Sequence, residues 1–276
     1  MNGIVNQSGF PHLTRLQSGA AGLAARPKTA AVVCIVSLAA LGWFACSYLS
    51  LDSPNIWTAL CRPAPGKGWS AVEFASLLGM WAAMTLAMML PTASPMILTY
   101  AEIADTAARV GERVVSPLIL IAGYIAVWFV FALALTAAQM TMSGLILRLG
   151  GTVAAALSSA TLAGIIIIAA GAYQFSSFKH ACLYRCQRPF PFFFANWTER
   201  TSGVFKLGVQ QGLYCFGCCW ALMLVMFAVG AMNIVWMAVL GVVMTIEKMT
   251  TTGRFARALG VCLMVVGAVL TVIGSV

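Results

Sequence analysis

The sequence predicts an all-α, polytopic helical membrane bundle of about seven transmembrane helices, and three observations carry that expectation. Hydrophobic residues make up 61% of the 276-residue chain and charged residues 8%, whereas a soluble domain carries about 25% charge. The apolar residues fall in blocks near the ~20 residues that a helix needs to cross a bilayer. Those blocks interleave Gly and small residues instead of alternating apolar and polar positions, which sets them apart from barrel strands. Backbone polar groups in lipid must be satisfied within the protein, so helices are the spanning structure.

The first block, Thr29 to Leu49, is long enough for a full span and exceeds a secretory h-region. Residues 1–28 before it form a polar, basic segment with Arg15, Arg26 and Lys28. The later blocks are Ser70 to Leu90, Val115 to Met140, Val153 to Tyr173, Leu207 to Gly230, Asn233 to Ile246 and Phe255 to Val276. Pro91 and Pro95 are expected to close the second block. The sixth block is short and should extend beyond those limits or stand upright. Residues 29–276 thus read as a single helical transmembrane domain.

Lys and Arg total 16 against 7 Asp and Glu. In a soluble protein that excess would suggest nucleic acid; here the basic residues sit between apolar blocks, so no nucleic-acid partner is expected. With seven spans and a cytoplasmic N-terminus, one side collects Arg15, Arg26, Lys28, Arg109, Arg113, Lys179, Arg185, Arg188, Arg200, Lys206, Lys248, Arg254 and Arg257. The other keeps Arg62, Lys67 and Arg148. That asymmetry places the N-terminus in the cytoplasm and the C-terminus outside.

Nine cysteines supply the chemistry, and five of them fall in two tight groups. HACLYRC holds His180, Cys182 and Cys186, and CFGCCW holds Cys215, Cys218 and Cys219. Spacings of three and four residues put thiols on one helical face. Thiolates suit a soft metal ion, with copper as Cu(I) favoured and zinc as the other candidate. Lys179, Arg185 and Arg188 are expected to favour the thiolate near the first group. A single buried cysteine is commonly packing; three within five residues on one face argue for more. The two groups can form one site or two. One joint site requires HACLYRC to dip inward, or the fifth helix to begin later than Lys206.

Met80, Met84 and Met88 recur every four residues along the second block, with Met89 beside them. Thioethers favour Cu(I), which makes Met84 and Met88 further candidate ligands, although methionine is also an ordinary filler of helix cores. Cys215 and either Cys218 or Cys219 are expected to face the bundle interior, with the second span as neighbour and Gly212 and Gly217 permitting close approach. Tyr173, Gln174, Gln210 and Gln211 should bond across helices, and Glu247 and Lys248 should pair locally or reach toward the interface. Cys46 and Cys61 could form a disulfide on the outer side.

Walker A, nucleotide-binding GxGxxG and HExxH sequences do not occur, and the two histidines are His12 and His180. GAAGLA near the N-terminus follows no strand. The sequence therefore leaves enzymatic activity undetermined and leans against it.

The elements MWAAMTLAMMLPTASPMILTY, GYIAVWFVFAL, YQFSSFKHACLYRCQRP and GCCWALMLVMFAVGAMNIVWMAVLGVVMTIEK resemble, in that order, a bacterial family of predicted metal-binding integral membrane proteins of unknown function. The resemblance covers roughly residues 69–267. The family usually has Thr-Pro where Ser176 and Ser177 stand. The resemblance implies a place in a bacterial inner membrane and metal binding, and nothing firmer about activity. The leading expectation is binding, transport or delivery of Cu(I), with a metallochaperone or membrane complex as partner beside the lipid bilayer. The alternatives are a thiol–disulfide oxidoreductase that links cytoplasmic thiols to Cys46 and Cys61, and a non-catalytic subunit of a larger complex.

Overall fold

A computed structural model describes residues 27–52, 70–149, 160–229 and 234–274. The N-terminal segment through Arg26, Cys61, Arg62, Lys67, the start of the fourth block and Asn233 lie outside the described residues. Nine helices follow one another among those described: α1 Pro27–Asp52, α2 Ala71–Arg109, α3 Pro117–Leu149, α4 Ala160–Tyr173, α5 Ser177–Gln187, α6 Pro189–Ala195, α7 Thr201–Val229, α8 Ile234–Met249 and α9 Arg254–Ile273. Five of them (α1, α2, α3, α7 and α9) are long and apolar enough to cross a membrane. A sixth candidate arises if α4 and α5, bent by 64° at their junction, form one broken span. The described part of α8 is 16 residues, or about 24 Å, which is short of a full crossing.

One expectation is corrected outright. Pro91 and Pro95 do not end the second span; both lie inside α2, which continues to Arg109. Proline removes a backbone donor and frees the carbonyl four residues back. The Ser94 hydroxyl donates to the Pro91 carbonyl at 2.7 Å, replacing the bond that Pro95 cannot make. The start of α2 is fixed by a reciprocal cap: the Ser70 hydroxyl accepts from the Glu73 amide, and the Glu73 carboxylate accepts from the Ser70 amide.

HACLYRC is a helix of its own. Ser176 caps α5 by accepting from the Phe178 amide at 3.2 Å, and Ser177 takes the first helical position, where proline is also at home. The Ser-Ser pair therefore caps and opens α5 at the 64° bend without a proline. Pro189 opens α6, whose Phe193 is buried against Tyr100 while Phe190 and Phe194 stay exposed.

Helix α2 is buried along most of its length and packs against α1, α3, α8 and α6. Helix α7 packs against α3, α4, α5 and α8. The α3–α7 crossing depends on two glycines: a methyl on Gly123 would overlap the Phe205 carbonyl, and one on Gly208 the Leu120 carbonyl. This close approach brings Tyr124 of α3 against α7. Helix α9 lies outermost, against α4.

Candidate metal centre

The two cysteine groups meet. Cys215, Cys218 and Cys219 are all buried on one face of α7, as their spacing demands. Helix α5, turned by the bend after α4, runs beside them. Cys186 is within hydrogen-bonding reach of Cys218. Cys182 packs on Gly217, where an added methyl would sit 2.6 Å from its sulfur. Gly217 is thus the residue that lets HACLYRC reach the level of CFGCCW. Tyr173, at the end of α4, donates to the Gly217 carbonyl at 2.5 Å and fixes the same junction.

Within α7 the thiols of Cys218 and Cys219 both donate to the Cys215 carbonyl, at 3.1 and 2.8 Å. From α2, the Met89 sulfur lies 3.8 Å from the Cys219 sulfur. Two sulfurs each ~2.3 Å from one soft ion would stand about 3.8 Å apart at a tetrahedral angle. Met89 is therefore the methionine that meets the thiols. Met88 lies about 100° around the helix and Met84 about 140°; both are buried, and Met88 lines an apolar cavity with Trp43 and Ala238 instead. Met96, on the same face of α2 as Met89, lines the thiol cavity.

A ring of hydrogen bonds closes around Cys215. The Lys248 ammonium donates to the Cys215 sulfur at 3.0 Å and to the Thr92 hydroxyl at 2.8 Å. Thr92 donates to the Met89 carbonyl at 2.9 Å. The Tyr124 hydroxyl lies 3.1 Å from that same carbonyl and 3.1 Å from the Cys215 sulfur. Four helices, α2, α3, α7 and α8, contribute to this ring. A buried lysine is costly unless it finds partners, and Lys248 finds the thiols.

The expected local pairing of Glu247 with Lys248 is replaced by two separate attachments. Glu247 forms a fully enclosed ion pair with Lys179 of α5, both carboxylate oxygens lying 2.8 and 2.9 Å from the ammonium. Lys179 is 0% exposed and Glu247 3%. Gln187 of α5 donates to the Glu247 and Thr250 carbonyls, at 3.0 and 2.7 Å, and ties off the end of α8. Helix α5 therefore anchors α8, and the next residue, Lys248, is directed at the thiols. Of the cations expected to serve HACLYRC, Lys179 is engaged with Glu247 and Arg188 with Tyr184, whereas Arg185, held on the Tyr214 ring and hydroxyl, keeps its charge within reach of Cys182. Lys248, Tyr124, Thr92, Gln211 and Met89 were outside the expected ligand set. The signal in the sequence was an ionisable residue, Lys248, ending an apolar block.

A cavity of about 250 Å³ opens beside the thiols, lined by Cys186, Cys215, Gln211, Tyr124, Lys248 and Met96 among others. The Gln211 side chain is 1% exposed and its amide nitrogen has no protein partner. On the other side of α5, a separate cavity of about 180 Å³ is lined by His180, Glu247, Gln187 and Thr250, so His180 does not share the thiol cavity. Among the described residues no three His, Cys, Asp or Glu side chains are arranged as a ready metal cage. Cys182, Cys186, Cys215, Cys218 and Cys219 are all free thiols.

This geometry, with sulfur-bearing side chains of α2 and α5 beside the α7 thiols, coincides with the comparison that decides the family. A family model described as copper chaperone, PpoB2, matches residues 78–270. The chain belongs to this copper chaperone family. The matched region begins within α2, ends within α9, and contains every residue of the thiol centre. No curated protein and no solved structure matches the chain.

Proposed function

We propose that the chain is a membrane carrier of copper that holds Cu(I) as cargo at the meeting point of α2, α5 and α7. The observation that carries this reading is the convergence of Cys186, Cys215, Cys218, Cys219 and the Met89 thioether. Thioether and thiolate donors together favour Cu(I) over zinc. Cys215 and Cys219 with Met89 form the inner ligands; Cys218 and Cys186 stand close enough to exchange with them, and Cys182 follows one step out along α5. His180, Met84 and Met88 serve, on this reading, only before or after that inner set.

Binding needs the Cys219 thiol to rotate off the Cys215 carbonyl and release its proton. A site that is assembled by such small rotations, and is not a closed cage, suits cargo that must leave again. The cavity flanked by Cys186, Met96 and Met249 offers a sulfur-lined approach. The cytoplasmic N-terminus and the count of seven spans, supported by the distribution of Lys and Arg, and the inner-membrane location remain parts of this proposal. A partner in the membrane or a soluble metallochaperone would give or receive the ion.

Copper content of the purified protein under reducing, copper-replete conditions tests the reading, with Cys218→Ser/Cys219→Ser as control. Copper retained by the wild type and lost from the variant is the expected result; absence of copper from the wild type would sink it. A second reading, thiol–disulfide exchange, draws support from Lys248 beside Cys215, since a nearby cation favours the reactive thiolate. Trapping of thiols in cells separates the two: a carrier keeps these cysteines reduced, whereas an oxidoreductase shows a disulfide fraction.

A further inference from the structure

The thiol centre carries a positive charge that copper ligation alone does not explain. Lys179 is neutralised by Glu247, but among the described residues no carboxylate pairs with Lys248. Its ammonium contacts Thr92 and the Cys215 sulfur. One turn earlier on α7, the unpartnered Gln211 amide lines the same cavity. Both groups are donors, and both suit a site that becomes anionic when filled.

Charge arithmetic identifies the filled state. Two thiols that take up one Cu(I) release two protons and leave a bis-thiolate complex of charge −1, with no electron transferred. The Met89 thioether adds a ligand and no charge. We propose that Lys248 is the built-in counter-cation of a two-thiolate, one-thioether Cu(I) complex on Cys215, Cys219 and Met89, and that it thereby sets a preference for Cu(I) over divalent ions at the same ligands. This rests on the carrier reading above. With Lys248 the Cu(I) complex is neutral overall. A divalent ion on the same two thiolates is already neutral, so the ammonium stays as uncompensated as it is beside the neutral thiols and adds nothing to that ion's binding. Lys248 is a positioning and specificity residue here, not a ligand.

The experiment measures Cu(I) affinity against a chromophoric Cu(I) chelator, and Zn(II) affinity against a zinc dye, in detergent-solubilised full-length protein under reducing conditions. Lys248→Met keeps the length of the side chain and removes its charge; Lys248→Arg keeps the charge. Lys248→Met should lose Cu(I) affinity by about tenfold or more, as truncating a buried charge partner does, while its Zn(II) affinity holds. Lys248→Arg should stay within about threefold of wild type for Cu(I), a change worth under ~1 kcal/mol. Unchanged Cu(I) affinity in Lys248→Met, or equal losses for Cu(I) and Zn(II), would overturn the proposal, because a structural defect moves both ions together. A wild type that binds no Cu(I) would instead remove the carrier reading itself.

Discussion

Helices α7 and α9 are alike in composition and opposite in situation. Both are apolar, both are long enough to span a membrane, and both carry cysteine. On α7, Cys215, Cys218 and Cys219 are enclosed by α2, α3, α5 and α8, and side-chain groups from all four of those helices reach them. On α9, Cys262 is exposed on the outer surface of the bundle. The difference teaches that a cysteine's chemistry in a membrane protein comes from what the neighbouring helices direct at it. Helix α9 packs chiefly on α4 through small residues, and its other face, with Val261, Val265 and Val269, is suited to lipid.

The largest effect should come from the anchor that holds α8 to α5. Glu247→Gln leaves Lys179 charged and unpaired in a sealed site, a change that costs ~3–5 kcal/mol for buried pairs. The apparent melting temperature in detergent should fall steeply. Removing both partners together, Lys179→Met with Glu247→Leu, should recover most of that loss. A Glu247→Gln protein as stable as wild type would show that the pair does not hold the α5–α8 contact.

Ligand substitution sharpens the contrast between the helices. Cys215→Ser with Cys219→Ser should reduce Cu(I) affinity by more than about 100-fold, beyond the usual loss for an outer-shell group. Cys262→Ser on α9 should leave it within about twofold. Equal effects on the two helices would dissolve the comparison.

Packing gives a smaller test. Gly217→Ala places a methyl 2.6 Å from the Cys182 sulfur, and overpacking of this kind costs ~1–3 kcal/mol. Gly241→Ala meets nothing within 4 Å and should be neutral or stabilising by up to ~1 kcal/mol. Thermal unfolding of the two variants in the same detergent reads the difference. Met89→Leu, close to volume-conserving, should leave stability nearly intact and weaken Cu(I) binding by about tenfold, whereas Met84→Leu and Met88→Leu should not weaken it.

Much of this arrangement was legible in the sequence, and the failures have physical causes. Helical period placed the three α7 thiols on one face, and hydropathy located the apolar blocks. Proline was misread, because the rule that it ends helices assumes that nothing replaces the lost bond, and Ser94 does so here. Met89 could not be told from Met84 and Met88, since which face of α2 turns toward α7 is set by tertiary packing and not by helical period. The fates of Glu247 and Lys248 were hidden for the same reason: adjacent residues on a helix point about 100° apart, and only the position of α5 decides which one meets Lys179. The junction of HACLYRC with CFGCCW depended on a bend of 64° that hydropathy does not encode.

The central claim, that thiols of α7 with Met89 of α2 hold Cu(I), is tested most directly by X-ray absorption at the copper edge on purified protein of measured copper content. The account predicts one Cu(I) per chain in an all-sulfur environment, with sulfur lost from that environment in Cys215→Ser/Cys219→Ser. Copper bound through nitrogen or oxygen alone, or a sulfur environment unchanged in the double variant, would contradict it.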